Sequence, residues 1–244
     1  MNTENDKKTD CMPRVGIQDG IILWIAFQLF DNLRQVSVFQ QVRNISQWLW
    51  NRNYKKKFPK ATTEEREQYW KEHRPFTTSF LFPEVWVILN IALAIIGCIV
   101  VGKEAQEWIC WILCVYGILR TFELFVYQIN VLLFDPIKFG RTKYRIKSAT
   151  RTVLLLICNI FEYILWFSVV YLFMYRGNVS NVDSLHVVLE SVSTLANITS
   201  PEDFSRIDLI FVAYIESVIG IFINIVCLAR FISLLPPIQS LDEN

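Results

Sequence analysis

The strongest constraint on this chain is the contrast between two neighbouring apolar runs. Ser184 to Leu195 is about a dozen residues long, too short to cross a bilayer, whereas Ile207 to Leu235 is long enough to span one. A polar turn containing Pro201, from Ala196 to Arg206, joins them. Short helix, irregular turn and long helix together predict a pore loop, because non-helical backbone at membrane depth persists only where protein buries it or it lines a watery cavity.

Three further runs are long enough to cross: Glu84 to Gly102, Glu107 to Phe134 and Arg151 to Tyr175. With 53% hydrophobic residues, 14% aromatics and only 8 Gly, the 244-residue chain fits a polytopic membrane protein better than a soluble domain. The predicted fold class is an all-α membrane protein, with four transmembrane helices plus one re-entrant pore helix. Residues 1–82 are expected to form a cytoplasmic N-terminal region, 83–134 a transmembrane hairpin, 135–150 a basic cytoplasmic linker, 151–235 a pore module and 236–244 a tail.

Within the N-terminal region, Ile17 to Phe39 carries the run GIILWIAFQLF, which is short and interrupted by Asp19, Asp31 and Arg34. It predicts an interfacial amphipathic helix with its Trp and Phe side chains among the headgroups; a short spanning helix is the alternative. Gln40 to Phe82 is aromatic and basic around NRNYKKKFPK. Such a stretch either attracts anionic lipid or is a solvated loop that fixes orientation. Thr62 or Thr63, followed by EQYWKEH, predicts a capped helix ending at Arg74-Pro75.

Charge distribution orients the chain. Ten Lys or Arg lie from Arg34 to Arg74 and six from Lys138 to Arg151, against one in the turn at Lys103 and two from Arg176 to Arg206. By the positive-inside rule both termini are cytoplasmic and the pore loop is outside, in a cell membrane. No cleavable signal peptide is expected in the polar N-terminus. Five of the six Cys fall inside apolar runs and read as small buried hydrophobes, and His73 and His186 are far apart, so no metal, cofactor, enzymatic site or nucleic-acid partner is predicted.

At Tyr214 to Ile232, YIESVIGIFINIVCLARFI, the chain is similar to the inner helix of prokaryotic potassium channels, in its Glu, in the pair Ile219-Gly220 and in the pair Ala229-Arg230. Val192 to Thr194 and Ser200-Pro201 resemble the flanks of that family's filter. The resemblance is to the pore module of the potassium channel superfamily and covers roughly Arg151 to Leu235. It implies a homotetramer that conducts monovalent cations. Where the family has Thr-X-Gly-Tyr-Gly, this chain has Thr194, Leu195, Ala196, Asn197, Ile198 and Thr199, with no glycine. Ala196 and β-branched Ile198 resist the positive φ angles of a carbonyl filter, which predicts a degenerate, weakly selective filter.

Other polar residues in apolar runs are candidate pore residues. Glu190 sits in the short helix and needs a partner or water. Glu216, Gly220 and Asn224 recur every four residues; they read either as brace, bending point and cavity lining or as ordinary packing and hydrogen-bonding groups. Arg120 and Glu123 are close enough on one helix to meet, as a structural ion pair or a gating element. Burying such groups costs about 2.5 to 3.5 kcal/mol each on insertion scales. A non-conducting protein that keeps the pore-module fold as a regulatory or interaction subunit is the alternative function.

Overall fold

The computed structural model describes residues 20–57, 69, 73, 75–79, 81–103, 106–134, 149–176, 183–201, 204 and 206–234. Among these it is helical, with α1 at Ile21–Val36, α2 at Val38–Lys57, α3 at Phe82–Gly102, α4 at Glu107–Ile129, α5 at Ala149–Tyr175, α6 at Ser184–Leu195 and α7 at Ile207–Leu234. Among the described residues four helices are long and apolar enough to cross a membrane: Phe82–Gly102, Glu107–Ile129, Val153–Tyr175 and Ile207–Ala229. The chain is therefore an all-α, multi-pass membrane protein by length and composition of its helices.

Helix ends follow local chemistry. Pro83 stands in the first turn of α3, where its missing N–H costs nothing. Asp183 caps α6, its side chain accepting from Leu185 N at 3.1 Å. A π-helical turn, Asn130–Phe134, closes α4, and the buried Asn130 amide donates to the carbonyls of Val126 at 2.9 Å and Phe30 at 3.1 Å.

The helices assemble with two distinct ends. At one, α1 and α2 meet the start of α3, the end of α4 and the start of α5: Phe39 stacks on Phe82 at 5.1 Å, and Arg151 pairs with Glu84 at 2.5 Å. At the other, the end of α5 meets the starts of α4, α6 and α7: Arg176 donates to Cys110 Sγ at 2.8 Å and Arg206 to the Met174 carbonyl at 2.8 Å. Helix α5 runs through the centre, packing on α3, α4, α6 and α7. Its buried residues Tyr163, Trp166, Val169 and Tyr171 carry the core between those ends.

The structure adds contacts to the N-terminal region. Helix α1 packs Phe27 and Phe30 against Phe134 at 5.6 and 5.8 Å, while Ile21, Ile22, Ile25 and Leu29 are exposed. Residues 38–57 form the 20-residue α2, a helix that was not assigned within the basic, aromatic stretch from Gln40 to Phe82. Val38, Val42, Ile45 and Leu49 recur at helical spacing, Gln, Arg, Leu and Lys favour helix, and Ser37 starts it by accepting from Gln40 N at 3.2 Å. Trp50 stacks on Tyr54 at 5.4 Å and donates to the His73 carbonyl at 2.7 Å. The helix expected before Arg74 lies almost wholly outside the described residues, as do Cys11, residues 135–148 and the tail.

Candidate functional site

The sequence-predicted residues collect into two centres. The first joins α5, α6 and α7. Glu216 of α7 is fully buried; its Oε1 accepts from Ser191 Oγ of α6 at 2.5 Å and its Oε2 from Tyr171 Oη of α5 at 2.6 Å. Ser191 also lies 3.1 Å from the Ile164 carbonyl. One carboxylate thus ties three helices through two hydroxyl donors, an arrangement that answers the cost of burying it.

One turn further along α7, Gly220 receives the end of α6. A Cβ at Gly220 would lie 2.0 Å from the Leu195 carbonyl oxygen and 2.9 Å from its carbon, so only glycine permits this approach. Ser217 adds a 3.5 Å contact to the Thr194 carbonyl. The structure gives Gly220 a packing role within a continuous helix. Gly220 lies 13 residues into α7, about 20 Å along its axis at 1.5 Å per residue.

The turn after α6 closes on itself. Asn197 adopts φ 58°, the left-handed conformation that ends many helices. Its N–H bonds the Thr194 carbonyl at 3.0 Å, the Ile198 N–H bonds the Ser193 carbonyl at 2.8 Å, and Asn197 Nδ2 donates to the Leu195 carbonyl at 3.2 Å. This is a Schellman cap, and it spends the carbonyls of Ser193 and Thr194 internally. Of the expected filter residues, Thr194 and Leu195 are buried, Thr199 is half-buried, and Ala196, Asn197 and Ile198 are exposed, Ile198 to 79%.

Glu190 finds Tyr175 of α5, whose hydroxyl lies 3.2 Å from both carboxylate oxygens. Asn224 does not join Glu216 and Gly220; it is exposed. Each four-residue step turns a helix by about 40°, so two steps carry Asn224 about 80° off the face that meets α6.

The second centre joins α4 and α5 on the side of the α1–α2 elbow. Arg120 of α4 donates through Nη1 to Glu123 Oε2 at 2.7 Å, and through Nε and Nη2 to Glu162 of α5 at 2.5 and 3.1 Å. The remaining Glu123 oxygen accepts from the backbone N–H of Phe39 at 2.8 Å, joining the α1–α2 elbow to the ion pair. The Trp86 ring lies 5.9 Å from the guanidinium.

Glu162, Tyr171 and Ser191 are the partners that sequence reasoning did not assign. A signal existed for Glu162: Arg120 is the one basic residue deep inside any of the four spanning runs, so an acid in another span has no other cation to meet. Hydroxyl partners leave no such signal. Among the described residues no three His, Cys, Asp or Glu side chains gather as metal ligands. No family model, curated protein or solved structure matches this chain.

Proposed function

We propose that the chain is a subunit of a weakly selective cation channel, in which four copies surround an axis and α6 is the re-entrant pore helix. The path of α6 carries this reading. It starts beside Gly102, at the end shared with Met174 and Arg206, and its tip reaches Gly220 at mid-length of α7. Its return segment then comes back to the starting end at Arg206. A segment that enters and leaves at one end needs neighbours to satisfy its turn, and the Schellman cap and Gly220 supply them.

The carbonyl end of α6 would favour a cation at the axis. With Ser193 and Thr194 carbonyls engaged in the cap, the oxygens offered there are those of Asn197 and Thr199 side chains. These suit a partly hydrated ion, so potassium and sodium are poorly distinguished. Both termini face the cytoplasm by the Lys and Arg counts, and the pore loop faces outside a cell membrane. Four identical copies follow from one pore loop per chain, since a cyclic assembly closes without leaving open surfaces.

One observation favours a second reading, a non-conducting interaction subunit: the cap is complete and Ile198 projects from the tip. Purified protein in liposomes decides between them. Channel function predicts a current whose reversal potential shifts little between potassium and sodium gradients. Strong potassium selectivity would overturn the filter argument, and an intact tetramer without flux would establish the closed subunit.

A further inference from the structure

Helix α2 divides its residues between two faces. On one, Trp50 and Tyr54 pack on Tyr69 at 5.8 and 5.2 Å, and Ser46 accepts from Thr77 Oγ1 at 2.8 Å, so this face belongs to the protein. On the other, Ile45, Trp48, Leu49, Arg52 and Lys56 are exposed, Ile45 to 55% and Trp48 to 56%. Steps of three and four residues place these side chains beside one another along the helix, apolar first and basic last. Helix α2 contains no Asp or Glu. Among the described residues neither Arg52 nor Lys56 pairs with a carboxylate; the Arg52 guanidinium instead lies 5.3 Å from the Trp48 ring. Trp48, Asn51, Arg52 and Lys56 line an open groove of about 390 Å³.

The start of the helix fixes where this face stands. Phe39 stacks on Phe82, the first residue of spanning helix α3, at 5.1 Å, and Thr77, bonded to Ser46, lies just before that residue in the chain. The first turns of α2 therefore flank the entry to a span, the level at which headgroups begin. An anionic headgroup layer answers both parts of the face together. Its acyl boundary receives Ile45 and Leu49, its interface suits the Trp48 indole, and its phosphates meet Arg52 and Lys56. The sequence leaves this basic stretch open between lipid attraction and a solvated loop. The helix gathers apolar and basic side chains onto one side, which a solvated loop does not require.

We infer that the exposed face of α2 docks on the anionic headgroup layer of the membrane that α3 crosses. Ile45, Trp48 and Leu49 enter the acyl boundary, and Arg52 and Lys56 hold lipid phosphates in the groove beside Trp48. The inference uses the spanning helices and is independent of ion conduction. Docking also gives the membrane a hold on the ion-paired centre, because Phe39, at the head of α2, donates its N–H to Glu123 at 2.8 Å.

The test places the full chain in phosphatidylcholine nanodiscs, with or without phosphatidylglycerol, each containing a trace of lipid that carries a diazirine on its acyl chain. After illumination and digestion, adducts on residues 38–57 are counted against those on α3, whose exposed Ile88 and Leu89 serve as the lipid-facing reference. Labelling of wild-type α2 should rise about tenfold with phosphatidylglycerol. Combining Arg52→Gln with Lys56→Gln should remove most of that rise, since each base near an anionic surface contributes about fivefold. Trp48→Ala with Leu49→Ala should lower labelling in both lipid mixtures. Lys103→Gln, at the far end of α3, should change α2 labelling less than twofold. Unchanged α3 labelling and helical circular dichroism confirm that each variant still folds and spans. Equal α2 labelling with and without phosphatidylglycerol, or equal losses in Lys103→Gln and the Arg52, Lys56 variant, would overturn the anionic docking. Absence of adducts on α2 while α3 is labelled would overturn it as well, and would leave this face to solvent, to an acidic protein or to a second copy.

Discussion

Two buried carboxylate centres hold this molecule, and they solve the same problem differently. Beside the α1–α2 elbow, Glu123 and Glu162 surround Arg120, so opposite charge compensates the buried anions. At mid-length of α7, Glu216 meets no cation among the described residues; two hydroxyls, Tyr171 and Ser191, hold it, and a backbone contact at Gly220 completes the junction. A charge-paired centre tolerates loss of geometry better than loss of charge, since attraction survives small displacements. A centre made of short hydroxyl contacts and one missing Cβ depends on position. The first therefore suits a rigid anchor for the N-terminal elbow, and the second suits the placement of a helix tip.

The sharpest way to break the comparison is to remove the cation. Arg120→Met leaves two carboxylates without compensation and should cost about 3 to 5 kcal/mol, measured by denaturation in mixed detergent. Adding Glu162→Gln to that variant should recover part of the loss. If Arg120→Met costs under 1 kcal/mol, charge pairing does not hold this centre.

Next in size is Gly220→Ala. Because its Cβ would meet backbone at 2.0 Å, relief requires moving the α6 tip, at about 1 to 3 kcal/mol. Gly97→Ala provides the contrast, since there the nearest atom is a Val169 methyl at 3.1 Å that can yield. Equal melting temperatures for the two variants would remove the distinction between backbone and side-chain contact.

Tyr171→Phe should cost about 1 to 2 kcal/mol by taking one donor from a buried carboxylate. A double-mutant cycle with Glu216→Gln should give a non-zero coupling energy, and additivity would show that the 2.6 Å contact contributes nothing.

Asn197→Gly has the smallest expected effect. Glycine accepts φ 58° without strain but loses the side-chain contact to the Leu195 carbonyl, leaving a change within about 0.5 kcal/mol; Asn197→Val should destabilise by about 1 kcal/mol or more. A Val variant as stable as wild type would mean that the left-handed cap is not needed.

Much of this architecture was readable in one dimension, because hydropathy is a property of composition along a run. The four long apolar helices and the short one at Ser184–Leu195 follow from run length and turn residues. The pore-loop reading rests on the same contrast of lengths. Helix α2 had a signal that was not used, the helical spacing of Val38, Val42, Ile45 and Leu49, whereas its contact from Trp50 to the His73 carbonyl, 23 positions away, was not legible. Nor could the chain itself say which hydroxyl its buried acid takes: Glu216 meets Tyr171, 45 positions away, whereas the lone deep cation Arg120 pointed to Glu162, 42 positions away. Asn224 seemed equivalent to Glu216 and Gly220 by spacing, yet helical drift turns it outward. Local free energies are set by residue type and order, so they can be read from sequence. Which side chains share a buried space depends on how the helices are packed, and only the tertiary structure decides it.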